Sequence, residues 1–285
     1  AMDGCRIRDM STELRVAIIG VGAIGSYLAY AIHGGKAGQT KLVGVADIPQ
    51  AQARLEEVAG QCDCKWETDP PRLSELEPDI VIEAAAQQAL RQYAIPLLER
   101  GVDVLAMSVG ALADPDFMAQ LEAAITRTGR RLYVPSGAIG GMDVLRAAAV
   151  EGIEEARLTT TKPPAGLRGA PYLEEHPVDL DAIRERTVLF KGSVADAVRG
   201  FPQNVNVAAI LNLAASGAKA ISVEVVADPG SDRNVHEIYA RGSFGEMTLR
   251  VANVPSPDNP KTSHLACLSP LALLRRLSAQ VVVGS

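Results

Sequence analysis

Three glycines, Gly20, Gly22 and Gly25, close the apolar run Val16-Ala17-Ile18-Ile19, and an acid, Asp47, ends the next such run. Residues of these types in this order suit a dinucleotide. Gly20 permits a tight turn out of a strand, Gly22 lets a pyrophosphate approach bare backbone, and Gly25 lets the following helix pack close to the sheet. Ala23 and Ile24 open that helix, whose N-terminal N–H groups and dipole would face the phosphates. The Asp47 carboxylate would accept hydrogen bonds from the adenosine ribose and repel a 2′-phosphate, which favours NAD over NADP. Ile48 stands where a strict NADP binder carries Arg, while Arg54 further along leaves NADP open. A glycine turn in a methyltransferase shows similar glycines. The strand before, the helix-like stretch after, and the acid about twenty residues on favour the dinucleotide.

Oxidising an amine or alcohol with such a cofactor calls for a base near the reacting carbon, and histidine titrates near working pH. The chain has 4 histidines. His33 ends the first helix beside Gly34-Gly35 and suits a C-terminal cap. His176 lies in the acidic stretch Glu174-Glu175-His176-Pro177, and His264 starts the last helix. His236 begins an alternating strand in the second half, which makes it the favoured base. A dicarboxylate substrate would need cations there, and Lys162, Arg168, Arg233 and Lys261 all fall in predicted loops or strand ends. The ends of later strands, Ala84-Ala85-Ala86 and Ser108-Val109-Gly110, should line the nicotinamide side, where small residues admit a flat ring. Four cysteines include Cys62-x-Cys64, with no second Cys/His pair nearby to complete a zinc site, so neither metal nor disulfide is expected.

The elements that must position these residues follow from hydrophobic period. Strand runs at 15–20, 41–47, 80–84, 103–108 and 131–135 alternate with helix-like stretches at 23–33, 51–59, 87–99 and 115–128. That alternation implies right-handed βαβ units and a parallel sheet, and nearly all-apolar runs imply strands covered on both faces. After the small, glycine-rich segment Ser136-Gly137-Ala138-Ile139-Gly140-Gly141 the texture changes. A helix is expected at 142–150, and strands of period 2 at 157–161, 222–227, 235–242 and 246–251. A helix opened by Pro202 is expected over 201–218, a Pro/Asn/Ser loop over 253–263, and a final apolar helix over about 264–277. Alternating strands suggest a mainly antiparallel sheet with one face covered. The fold class is therefore α/β: a Rossmann-like parallel-sheet domain (13–137), then an α+β substrate domain (138–262), with a C-terminal helix (263–285) packing back on the first. One face of the second sheet stays open, so a homodimer is expected.

At 285 residues the chain has length for one large domain or two ordinary ones. A net charge of −6 argues against a nucleic-acid surface. No apolar run approaches the roughly 18 residues of a membrane span. The polar, mixed-charge segment before Arg15 does not read as a secretory signal, so a cytoplasmic protein with reduced thiols is expected.

Several segments together resemble the L-aspartate dehydrogenase family. They are Ser108-Val109-Gly110-Ala111-Leu112-Ala113-Asp114, Pro135-Ser136-Gly137-Ala138-Ile139, Thr161-Lys162-Pro163-Pro164, Phe201-Pro202-Gln203-Asn204-Val205-Asn206-Val207-Ala208, Asp232-Arg233-Asn234-Val235-His236-Glu237, and the loop from Asn253 to Ser263. The resemblance runs from residue 15 to the last helix. It implies reversible oxidation of L-aspartate with NAD or NADP to iminosuccinate, then hydrolysis to oxaloacetate and ammonia, and a place in NAD biosynthesis. It assigns the catalytic histidine to His236 and cofactor contacts to Asn206 and to an alanine, most naturally Ala138. Lys162 and Lys261 are the candidates for the substrate carboxylates.

Two other readings share this architecture. One is a different amino-acid-pathway enzyme, of the dihydrodipicolinate reductase or homoserine dehydrogenase type. The other is a non-catalytic NAD-binding sensor, which would need the cofactor site but no base. The Asp-Arg-Asn-x-His and Pro-Gln-Asn-x-Asn segments distinguish the first reading from both.

Overall fold

Alternation of apolar strands with amphipathic helices builds the first half of the computed structural model, which describes residues 13–202, 205–256 and 262–284. Lys261, Gln203 and Asn204 therefore lie outside the described residues. The strands are β1 (Leu14–Ile19), β2 (Thr40–Ala46), β3 (Lys65–Glu67), β4 (Ile80–Glu83), β5 (Asp103–Ala106) and β6 (Leu132–Tyr133). They are interleaved with α1 (Ala23–His33), α2 (Gln52–Cys62), α3 (Gln87–Glu99) and α4 (Pro115–Thr128). The six strands pair in parallel in the order β3-β2-β1-β4-β5-β6. Strand order reverses between β1 and β4, and such a reversal opens a crevice at the carboxyl ends of the strands.

Period 2 explains why this sheet is covered twice. Val16 and Ile18 of β1 turn to one face, packing with Leu28 of α1 and Leu55 of α2. Ala17 and Ile19 turn to the other, with Leu90 of α3 and Leu121 of α4. The short edge strand β3 was not expected from the sequence. Its exposed Lys65 and Trp66 give it no apolar alternation to read.

The second half contains α5 (Met142–Ala149), β7 (Ile153–Lys162), α6 (Pro171–Glu175), β8 (Thr187–Gly192), α7 (Val194–Gly200), α8 (Val205–Ala214), β9 (Ala220–Ala227), β10 (Asn234–Gly242), β11 (Gly245–Asn253) and α9 (His264–Leu277). Its five strands run β11-β10-β7-β9-β8. Three of the pairings are antiparallel, and β7 with β9 is parallel, so the sheet is mixed. The helix expected over 201–218 is α8, which spans Val205–Ala214, and α7 before it was not expected from the sequence. The helix α7 stops at Gly200, and Phe201 leaves helical geometry to join Tyr172 and Phe190 in an aromatic cluster. The helix α9 returns to the first domain, where Leu271 and Leu274 join the core beside α1. The Ser269 hydroxyl of α9 accepts the Gly137 N–H at 3.0 Å, beside the segment that links the two sheets. Among the described residues no helix is long and apolar enough to cross a membrane.

Candidate active site

The glycine turn at the tip of β1 uses its three glycines for three different reasons. Gly20 has φ +97°, and a Cβ there would stand 2.8 Å from the Ala84 carbonyl. A Cβ on Gly25 would stand 1.8 Å from the Gly20 carbonyl oxygen, so that site is closed by helix–turn contact. Gly22, with φ −66°, has nothing within 4 Å of its would-be Cβ. Backbone geometry and packing would accept a side chain there, so the bare backbone leaves room for a ligand. No side chain caps α1, whose first turn opens with Ala23 and Ile24. Asp47 closes β2 and reaches across to this turn. Its Oδ2 accepts the Val21 N–H at 2.7 Å and its Oδ1 the Ile48 N–H at 2.8 Å. Arg54 donates to the Ser26 hydroxyl at 3.3 Å and pairs with Glu57 at 2.9 Å. Bare backbone, an uncapped helix start and a strand-end carboxylate together fit a dinucleotide.

Beyond that turn a cavity of about 150 Å³ opens between the two sheets. The first domain contributes Ile24, Met107, Val109 and Pro135. The second contributes Lys162, Asn206, Val207, Ile210, Asn234 and His236, and Gly137, Ala138, Thr262, Ser263 and Ala266 complete it. Ile24, Ala138, Asn206, Lys162 and His236, distant in sequence, thus meet at one place. No Asp or Glu is among these lining residues.

His236 and Lys162 share the cavity because of register. His236 on β10 sits opposite Thr160 on β7, and Lys162 lies two residues beyond Thr160, on the same face of the sheet. His236 is 4% exposed, and its Nδ1 lies 3.0 Å from the Thr160 hydroxyl, with Nε2 unengaged among the described residues. Burial, then the nearby Lys162 charge, holds its pKa down to about 4, so the ring is neutral near pH 7. Lys162 is 5% exposed, and burial lowers its pKa to about 8. Among the described residues no carboxylate pairs with it. A buried, largely protonated ammonium without a counter-ion is costly, and an anion entering the cavity would relieve that cost.

Asn206, in the first turn of α8, joins the domains. Its Oδ1 accepts the Gly110 N–H at 2.9 Å, from the 3-10 turn Val109–Ala113 that follows β5. A backbone N–H can only donate, so the amide oxygen must face Gly110 and the two Nδ2 hydrogens are left for the cavity. Ala138 is fixed from the other side, its carbonyl accepting from Asn253 Nδ2 at 3.0 Å. Ser108 does not present its polar groups to the cavity. Its N–H and hydroxyl both turn to the buried Glu83 carboxylate, at 3.0 and 2.8 Å, and Met107 and Val109 on either side form the wall. Ala85 lies at the tip of β4 and donates its N–H to the same carboxylate at 2.9 Å.

The remaining candidates are elsewhere. His33 is exposed at the end of α1. His176 is exposed and stacked on Tyr172. His264 packs edge-on against Tyr27. Arg168 pairs with Asp181, and Arg233 is half exposed beside Asp232. Sequence reasoning missed Glu83 and Thr160. Glu83 carried a signal, because it ends the apolar run Ile80-Val81-Ile82 as Asp47 ends its own. Thr160 carried none, since only strand pairing shows that it faces His236. Among the described residues no group of three His, Cys, Asp or Glu could hold a metal ion.

Comparison with known proteins is consistent along the chain. A family model described as "Aspartate dehydrogenase, C-terminal" matches residues 143–277, and one described as "Homoserine dehydrogenase, NAD binding domain" matches residues 20–135. The chain is 42% identical over 277 residues to the L-aspartate dehydrogenase of Methanosarcina acetivorans, covering 95% of this chain and 100% of that one. It is 37% identical over 280 residues to the L-aspartate dehydrogenase of Bradyrhizobium diazoefficiens, covering 96% and 95%. Among solved structures, aspartate dehydrogenase from Thermotoga maritima superposes with TM-score 0.72 at 27% identity, covering 95% of this chain and 100% of that one. Scyllo-inositol dehydrogenase from Lactobacillus casei, solved with NAD(H) and scyllo-inositol, gives TM-score 0.56 at 15% identity, covering 92% and 88%, a likeness of fold alone.

Proposed function

The chain belongs to the L-aspartate dehydrogenase family, and on that premise we propose how its own residues carry out the reaction. The substrate is L-aspartate, oxidised at Cα in the cavity between the sheets to iminosuccinate, which water converts to oxaloacetate and ammonia. Lys162 is the observation that carries this reading: a buried cation without a carboxylate partner among the described residues, in a cavity that holds a buried neutral imidazole and adjoins the glycine turn. An amino diacid supplies the missing anion.

Gly20, Gly22, Ala23, Ile24 and Gly25 would hold the pyrophosphate, and Asp47 the adenosine ribose. Ala85, Ser108, Ala138 and Asn206 would flank the nicotinamide. When bound, the nicotinamide accepts the hydride from the substrate. Lys162 binds one substrate carboxylate and so orients Cα. Lys261 is proposed for the second carboxylate on the sequence alone. Nε2 of His236 accepts a proton from the substrate ammonium, or from the water that attacks the imine. The Nδ2 group of Asn206 donates into the cavity, to the carboxamide or ribose. NAD is the proposed cofactor rather than NADP. Support comes from the Asp47 carboxylate beside the turn and from Arg54, which is engaged by Ser26 and Glu57.

The open face of the second sheet carries Arg157, Arg241, Glu155 and Glu237, with both arginines paired to Glu155 within the chain. A homodimer through that face is proposed, and sedimentation velocity tests it. Cys62 and Cys64 form no disulfide, which suits the cytoplasmic location proposed here.

The deciding experiment measures NADH formation with L-aspartate against D-aspartate, L-glutamate and L-homoserine. Turnover with L-aspartate well above the others is expected. Absence of turnover with L-aspartate at alkaline pH would sink the reading.

A further inference from the structure

Glu83 ends β4 and is 1% exposed. A carboxylate so deeply buried is costly unless its oxygens are met by hydrogen bonds. Here donors meet both of them. Oε1 accepts the Ala85 N–H at 2.9 Å and the Ser108 hydroxyl at 2.8 Å, and Oε2 accepts the Ser108 N–H at 3.0 Å. Two of these partners are backbone amides, which cannot accept a proton in return. Burial pushes the carboxyl's pKa up from its ordinary value, and these donors act against it in favour of the anion. Packing alone does not call for one, because an apolar side chain of similar volume would fill the space with no charge to bury.

Both partner segments stand at the carboxyl ends of strands, where the crevice opens. Ala84 and Ala85 lie against the glycine turn, since a Cβ on Gly20 would come within 2.9 Å of either residue. Ser108 lies between Met107 and Val109, which line the cavity, and Gly110 two residues later donates to Asn206. One hidden carboxylate thus ties together the glycine turn, the first-domain wall of the cavity and the contact with the second domain.

Resting on the reading above, in which this wall receives the nicotinamide, we propose that Glu83 is a positioning residue whose buried anion fixes the Ala85 and Ser108 segments and favours oxidised over reduced cofactor. The oxidised ring carries a positive charge that the reduced ring lacks. A fixed negative charge in a poorly screened interior therefore attracts the oxidised form selectively.

The test compares equilibrium binding of NAD⁺ and NADH to the full chain and to Glu83→Gln. The folded fraction is checked by circular dichroism. Binding of NAD⁺ should weaken at least about fivefold more than binding of NADH. In turnover, kcat should fall about tenfold or more while KM for L-aspartate changes little. Equal losses for the two cofactor forms, or none, would overturn the anion role, because a merely structural defect moves both together. Glu83→Met, without the amide donor of Gln, answers the same question if the Gln variant does not fold. Ser108→Ala keeps the charge and removes one bond of the clamp. It should lower kcat severalfold with the NAD⁺/NADH preference intact, and a native kcat for it would overturn the positioning role. A wild-type chain that bound neither dinucleotide would instead overturn the functional reading itself.

Discussion

The imidazole Nδ1 of His236 lies 3.0 Å from the Thr160 hydroxyl, directly across the β10–β7 strand pair. One ring nitrogen is thereby engaged and the ring orientation fixed, which leaves Nε2 for chemistry. His236→Ala should lower kcat by about 10² or more while NADH still binds. A kcat near the native value would remove His236 from the role of base.

The same ring makes stability depend on pH, in a direction that follows from its burial. Its folded pKa of about 4 is depressed, so the unfolded chain holds more protons between that value and the ordinary value of about 6.5. This contribution to stability is fully present above about pH 6.5 and is lost as pH falls through the folded value. Urea unfolding midpoints should therefore drop more steeply from pH 7 to 4.5 in the native chain than in His236→Gln. Parallel profiles would mean that the ring titrates normally.

Lys162 predicts how anions bind. Succinate resembles the substrate and has no amine to titrate. It should raise the Tm of the native chain and leave that of Lys162→Met nearly unmoved. With a folded pKa of about 8, Lys162 loses its proton above that pH in the free protein. Succinate affinity should then fall about tenfold per pH unit, starting from about pH 8. A flat profile there, matched by Lys162→Met, would place the carboxylate site elsewhere.

Gly22 and Gly25 should respond to the same substitution in opposite ways. Ala at Gly22 meets open space, so Gly22→Ala should keep its Tm within a few degrees and bind NADH about tenfold or more weakly. Ala at Gly25 would overlap the Gly20 carbonyl, so Gly25→Ala should lose on the order of 1–3 kcal/mol of stability or fail to fold. Thermal melts and NADH titration of the two variants check both halves. Native NADH affinity in Gly22→Ala would mean that no phosphate passes over that residue.

Asp47 both holds the turn, through Val21, and offers its carboxylate to a ribose. Asp47→Ala should weaken both dinucleotides by loosening the turn, and should weaken NAD more because the ribose contact is lost while the repulsion of a 2′-phosphate is relieved. Equal losses for NAD and NADP would leave the carboxylate with the turn alone.

Much of the first domain was legible because its signals are local. An apolar run, a glycine with positive φ and an acid at a strand end each report on the few residues around them. The strand β3 escaped because an exposed edge strand has no buried face to pattern. The expected helix began too early because Phe201 packs on Tyr172 and Phe190, partners outside that stretch of sequence, and not in a helix. Among the histidines, local pattern favoured His236 only modestly, and family resemblance added the rest.

By itself the sequence determined the cofactor class, through a turn whose glycines and acid lie within one βαβ unit, and it supplied the histidine and lysine as residue types. Only the tertiary structure decided their state. Pairing of β7 with β10 buries His236 against Thr160 and sets Lys162 on the same face, across 76 positions of chain in the case of the histidine and threonine. Docking of α8 on the turn after β5 brings Asn206 to Gly110 across 96 positions. Burial removes the water that would screen these groups. A histidine and a lysine of ordinary basicity thereby become a neutral ring beside a buried cation that no described carboxylate pairs, a property of the assembled cavity that the residues do not carry separately.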